Sequence, residues 1–245
     1  RPVKSNIAVL MSASAIWFRE NPKWRGYPNE SVLPFCILLM MNHMPFDVIL
    51  DEDIENGRLS EYDLLIIPYG DALTQSTHQQ ILEFSQKQKT VIADKTLRAN
   101  IPNAHILEID FSFMNRVDGR AIKTGNALTA EEYQARMEEL ADQLRPKLSH
   151  IFSPFQCNSK QVLINEVKSG NNRYVFAIND KKTYGPRFGK WKLIQELGVE
   201  QAVKIKLAVS GEPIIYDALS MNPIEYQLSN GFAEFNITLP PAQGK

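Results

Sequence analysis

The chain is poor in the residues that build metal and disulfide frameworks. Its 245 residues include two cysteines and four histidines. Cys36 and Cys157 have no zinc-site spacing and leave room for at most one disulfide. His43, His78, His105 and His150 are scattered, and no pair is spaced to ligate a metal from one helix. All four read as structural or surface residues, and neither a metal nor a cofactor is expected. Long apolar runs are missing as well. The longest, around Cys36 to Met41, is far too short to span a bilayer. Charge of one sign is also lacking. A formal net charge of -1 gives no global field to attract nucleic acid or an anionic membrane, so neither is expected as a partner. No phosphate-cradling loop occurs, because Gly185-Pro186-Arg187-Phe188-Gly189-Lys190 lacks the strand, the helix and the lysine spacing that such a loop needs. No Gly-x-Ser-x-Gly elbow, internal repeat or low-complexity tract is present.

What is there is a globular composition, 44% apolar and 22% charged. Arg1-Pro2-Val3-Lys4-Ser5 leads straight into a strand, as expected of a processed or excised end. The first half alternates apolar strands with amphipathic segments. Ile7 to Met11 is apolar throughout, the pattern of a strand buried on both faces. Ser31 is placed to cap a helix through Val32 to His43, with Pro34 tolerated in its first turn. Strands are expected at Phe46 to Leu50, Tyr62 to Pro68, Thr90 to Ala93 and His105 to Ile109. Thr74 or Ser76 caps a helix carrying Ile81, Leu82 and Phe84. Thr129, followed by Glu131 and Glu132, opens a long helix from about Ala130 to His150. Strand, helix and strand repeated in this way predict a parallel sheet covered on both faces, and five strands are too few for an eight-stranded barrel.

After about Ser153 helix periodicity disappears. Short β-like runs follow at Val162 to Val167, Arg173 to Asn179, Ala202 to Val209, Pro213 to Ala218, Ile224 to Leu228 and Phe232 to Leu239. Val203, Ile205 and Leu207 alternate with Lys204 and Lys206, as in a half-buried strand. The expected fold class is therefore α/β, a flavodoxin-like doubly wound parallel sheet, plus a small antiparallel β-sandwich. The expected boundary divides residues 1–152 from 153–245. The closing Pro240-Pro241-Ala242-Gln243-Gly244-Lys245 leaves room for a further strand beyond it.

The segment Phe46 to Asp94 resembles the class I glutamine amidotransferase-like domain, in the version called the trimerisation domain of bacterial β-galactosidases. The resemblance is carried by Phe46-Asp47-Val48, the strand Tyr62-Asp63-Leu64-Leu65-Ile66-Ile67-Pro68, the helix Gln79 to Phe84, and Thr90-Val91-Ile92-Ala93-Asp94. Arg173 to Asp180 and Ile214 to Leu219 look like the C-terminal β-domains that follow such regions in glycosidases. The resemblance implies a non-catalytic accessory and oligomerisation region of a larger glycoside hydrolase-like protein of carbohydrate metabolism. The implied partners are a catalytic barrel of the parent chain, neighbouring subunits and carbohydrate. True amidotransferases carry a cysteine on a Gly-flanked elbow after a core strand. Here that strand ends in Ala93-Asp94-Lys95-Thr96, so no catalytic residue is assigned.

Candidate ligand or interface residues come from two places. Trp17, Arg19, Trp24 and Tyr27, with Phe18, Lys23 and Arg25, form a basic aromatic segment after the first strand. It reads as a sugar-stacking or subunit-binding surface, since Trp, Tyr and Arg dominate hot spots, or as a local mini-core. Tyr69, Asp71 and Asp94 follow the third and fourth strands, where open α/β sheets bind ligands. Asp71 and Asp94 read as a shared cleft or as loop hydrogen-bonding residues. This leaves open a stand-alone small-molecule or carbohydrate-binding protein, or a carboxylate-based hydrolase using that cleft. Asp51, Glu52 and Asp53 read as a solvated acidic turn, and Asn179 to Arg187 as a polar surface loop closed by a Gly-Pro turn.

Overall fold

The computed structural model describes residues 4–18, 32–109, 111, 128–188 and 193–241. By its contacts the chain divides into two compact units. One holds residues 4–39 and 45–152; the other holds 153–241 together with residues 40–44.

The first unit is built on a five-stranded parallel sheet of order β2-β1-β3-β4-β5. Its strands are β1 (Ile7–Leu10), β2 (Asp47–Ile49), β3 (Leu64–Ile67), β4 (Thr90–Asp94) and β5 (His105–Leu107). This strand order is the flavodoxin-like one. The central strands are apolar because both faces are covered: every residue of β1 and β3 is buried. Helices α1 (Ala13–Phe18), α2 (Val32–Met41), α3 (Asp51–Glu55), α4 (Gln75–Gln86) and α5 (Ala130–Leu148) belong to this half of the sequence. Helix α2 is apolar on all sides, and Leu33, half exposed, is the most open residue in it. Phe35 from α2 meets Phe111 edge to face, with ring centroids 5.3 Å apart. Helix α4 begins where its cap dictates, with Thr74 Oγ1 accepting from the Thr77 amide at 3.0 Å. Helix α5 opens with a reciprocal capping box: Glu132 N–H donates to Thr129 Oγ1, and Thr129 N–H donates to the Glu132 carboxylate.

The second unit is a β-sandwich. Its larger sheet has the order β12-β13-β11-β6, from β6 (Phe155–Cys157), β11 (Gln201–Ala208), β12 (Gln227–Ser229) and β13 (Phe232–Leu239). The hairpin β7 (Val162–Ser169) and β8 (Asn172–Asn179) supplies Val162, Ile164, Val175 and Ala177 to the same core as Val203, Ile205, Leu207 and Phe235. The predicted alternation in β11 holds. Its valine, isoleucine and leucine are buried, while Lys204 and Lys206 both reach Glu234 on β13. Asn179 is a buried knot at the strand ends. Its Nδ2 donates to the carbonyls of Val199, Leu239 and Pro240, and its Oδ1 accepts from Lys181 N–H and Gln201 Nε2.

Three expectations need correction. The segment after Asn179 is not a surface loop but strand β9 (Lys182–Phe188), paired antiparallel with β10 (Leu193–Gly198). The Gly185-Pro186 pair that reads as a turn sits in a two-stranded ribbon, where a proline need not donate to a second neighbour. The expected strands at 213–218 and 224–228 reduce to one bridge, Tyr216 with Pro223, and to the short β12. Pro213 and Pro223 remove ladder donors there. Finally, Asp51 to Asp53 open helix α3, and Asp51 is buried rather than solvated.

Candidate functional site

In an open α/β sheet the loops at the strand C-termini meet where the strand order reverses. Here β1 lies between β2 and β3, so the loop after β1 and the loop after β3 flank the switch point. The loop after β3 is a strained, tightly held turn. Tyr69 adopts φ +58, a left-handed conformation costing about 1–3 kcal/mol in a non-glycine residue. The buried Asp94 carboxylate at the end of β4 holds it there. Tyr69 N–H donates to Asp94 Oδ2 at 3.0 Å, while Thr96 N–H and the Thr96 hydroxyl donate to Oδ1. The next residue, Gly70, is closely packed, and a side chain there would require Leu97 to shift. A Cβ on Gly70 would lie 2.7 Å from Leu97 Cδ1 and 3.2 Å from Leu97 Cα. The Arg98 N–H in turn donates to the Gly70 carbonyl.

This turn delivers Asp71 to an open cleft of about 490 Å³. Asp71, Thr74, Gln75, His78 and Arg98 supply its polar lining, and Leu73 and Ala99 contribute apolar surface. Arg98 Nε lies 2.5 Å from Asp71 Oδ1, with the Asp71 side chain 10% exposed and that of Arg98 59% exposed. His78 Nε2 lies 3.2 Å from the Asn100 carbonyl. At the first turn of α4, Glu55 accepts from the hydroxyls of Thr74 and Thr77 at 2.8 and 3.3 Å.

Of the residues singled out in the sequence, Asp71 lines the cleft, while Tyr69 and Asp94 shape its turn without lining it. Trp17 is 79% exposed on α1, and Arg19, Trp24 and Tyr27 lie outside the described residues. Sequence reasoning missed Thr74, Gln75, His78 and Arg98 as lining groups. The Thr74 cap signals that α4 starts beside the end of β3, but nothing local marks Arg98. Asp51 was also missed. Its Oδ2 accepts from the Ser12 hydroxyl and the Ser14 amide at 3.0 and 3.1 Å, while its buried Oδ1 has no hydrogen-bond partner among the described residues.

The two thiols are free, and neither lines the cleft. Cys36 is buried within α2, and burial pushes its pKa up to about 11. Cys157 ends β6, where burial again raises its pKa. Neither is the activated thiolate of an amidotransferase. Among the described residues no group of three or more His, Cys, Asp or Glu side chains is arranged to hold a metal. No described helix is long and apolar enough to cross a membrane.

The same fold recurs inside solved glycosidases. An α-L-fucosidase isoenzyme 2 from Paenibacillus thiaminolyticus matches 96% of this chain with a TM-score of 0.56 at 13% identity. A GH42 β-galactosidase from G. stearothermophilus matches with a TM-score of 0.53 over 97% of the chain at 12% identity. A GH42 exo-carrageenase from Bacteroides ovatus matches 97% with a TM-score of 0.50 at 11% identity. At these identities the likeness is one of fold. The chain spans less than half the length of each neighbour: 47%, 41% and 28%. No family model and no curated protein sequence matches the chain.

Proposed function

We propose that the chain is a non-catalytic accessory and assembly region of a larger glycoside hydrolase-like protein. In this reading it is a flavodoxin-like unit of the amidotransferase-like trimerisation type followed by a structural β-sandwich. One observation carries it: nearly the whole chain finds a counterpart in glycosidases, yet it fills only 28–47% of their length. The inert placement of both thiols supports it further. The flavodoxin-like unit would contact a catalytic barrel or a neighbouring subunit, with the exposed Trp17 as a contact residue. The test pairs two measurements on the chain. Chromogenic β-galactosides and α-fucosides, and glutamine, should show no turnover, and a kcat on the order of 1 s⁻¹ or more on any of them overturns the reading. Light scattering should give a defined oligomer that Trp17→Ala dissociates. A monomer insensitive to that change removes the assembly role.

A second reading, a stand-alone small-molecule or carbohydrate-binding protein, is favoured by the open cleft beside β3 and its converging polar groups. A two-carboxylate hydrolase built on Asp71 and Asp94 has less support, because both Asp94 oxygens accept hydrogen bonds from the chain's own donors.

A further inference from the structure

We infer that the cleft formed by the β3–α4 turn and the Arg98 loop is a binding site for a neutral polyhydroxylated ligand, the terminal sugar of a glycan or a free monosaccharide. This inference rests on the ligand-binding reading of the cleft and names its ligand class; it does not require a glycosidase parent. Three features of the cleft lead to it.

The cleft is built rather than accidental. Its leading turn carries a left-handed tyrosine that only over-determined surroundings maintain, and the buried Asp94 accepts from Tyr69 and twice from Thr96 to maintain it. Gly70 is wedged against Leu97, which fixes the spacing between the turn bearing Asp71 and the loop bearing Arg98. The volume, about 490 Å³, is that of a small-ligand site.

The charges of the cleft are already matched. Arg98 stands against Asp71. The positive N-terminal end of α4, which otherwise attracts an anion, has the Glu55 carboxylate hydrogen-bonded across Thr74 and Thr77. An added phosphate or carboxylate would meet the Asp71 carboxylate in the cleft and a helix end already bonded to Glu55, with one guanidinium to offset them. An added cation would meet Arg98.

The remaining chemistry is mixed and planar. A carboxylate, a guanidinium and the Gln75 amide offer acceptors and donors in flat arrays, and Thr74 and His78 add further polar atoms. Adjacent hydroxyls of a pyranose are donors and acceptors at once, so one diol can bridge a carboxylate and a guanidinium. Leu73 and Ala99 give its C–H face an apolar rest.

The test uses the whole 245-residue chain and follows its amides by NMR during titration with D-galactose, L-fucose, inorganic phosphate and acetate. Saturable shifts at residues 70–75 and 98–99 with one of the sugars, with a dissociation constant on the order of 1 mM, are expected. Asp71→Asn and Gln75→Ala should each weaken binding, the former about tenfold or more. Gln75 is exposed, so its replacement leaves the fold intact. The affinity for sugar should be the same in Trp17→Ala, whether or not that change dissociates an oligomer. Phosphate or acetate binding in place of sugar overturns the ligand class while keeping a ligand-binding cleft. Sugar binding lost with Trp17→Ala but not with Gln75→Ala moves the site elsewhere and overturns the inference. Shifts with none of the four overturn both the inference and the ligand-binding reading. Assembly and turnover are read in separate experiments, so the accessory reading stands or falls independently.

Discussion

Asp51 shows how one side chain joins two segments. It follows β2, yet it bonds to Ser12 and Ser14 beyond β1, so it ties together the C-terminal ends of neighbouring strands. One oxygen makes these bonds and the other is buried without a partner among the described residues. Asp51→Ala strips the acceptor from a buried hydroxyl and an amide and should cost about 1–3 kcal/mol. Asp51→Asn keeps a carbonyl oxygen for Ser12 and Ser14 but sets an NH2 where the second oxygen lies, so its loss of unfolding free energy in urea should be smaller than that of Asp51→Ala. An Asn variant as unstable as the Ala variant would mean that the unpartnered NH2 costs as much as the lost acceptor. The sequence hid this role, because Asp51-Glu52-Asp53 has the composition of a solvated turn. Only the fold reveals that the three diverge: Asp51 is buried, Glu52 is exposed, and Asp53 accepts from the Leu50 amide and pairs with Arg58.

Helices announce their ends locally, and here they start where their caps are. Thr74 and Thr129 precede their helices by one residue and accept from the third helical amide. Thr129→Ala should destabilise the first unit by about 1 kcal/mol, read from urea unfolding followed by far-UV circular dichroism. No change would mean that the packing of Met137, Leu140 and Leu144 alone holds α5. Strands were less legible. The core strands β1, β3 and β4 are plain in their apolar runs, and β11 in its alternation. Strand β9 was not, because Lys182, Thr183 and Gly185-Pro186 carry loop chemistry. Its pairing with β10 is non-local information. The runs at 213–218 and 224–228 erred the other way. Ile215, Ile224 and Tyr226 pack against the sandwich core, but Ile214 and Tyr216 are 79% and 57% exposed and the two runs share a single bridge.

At the scale of the molecule, two buried groups set an alkaline limit on the first unit. Burial raises the Cys36 thiol from 9.0 to about 11. Burial, and then the hydrogen bond to Asp47, raises the Tyr62 phenol from 10.0 to about 12. Both groups are neutral when protonated, and the folded state favours that neutral form. Their contribution is therefore complete below about pH 9 and is lost as the pH climbs through 11 and 12. Thermal melts at pH 8, 10 and 11 should show a falling Tm. Combining Cys36→Ala with Tyr62→Phe should flatten that fall while lowering the Tm at pH 8. An unchanged slope in the double variant would place the alkaline sensitivity elsewhere.

The sequence by itself determined the fold class. Apolar periodicity and helix caps are local signals, and a run of four apolar residues bounded by turns has few places to go but the middle of a parallel sheet. It also pointed to the strand ends as the place for a candidate cleft, because the topology of such a sheet puts its loops there. The tertiary structure alone decided which residues make the cleft. Arg98 reaches Asp71 because Gly70 lets two backbones approach, and Asp94 turns inward because a strained tyrosine amide needs an acceptor. Those choices depend on distances between segments that sequence patterns do not encode. Two carboxylates that look alike in the chain thus come to serve different ends, one at the cleft and one buried to hold its turn.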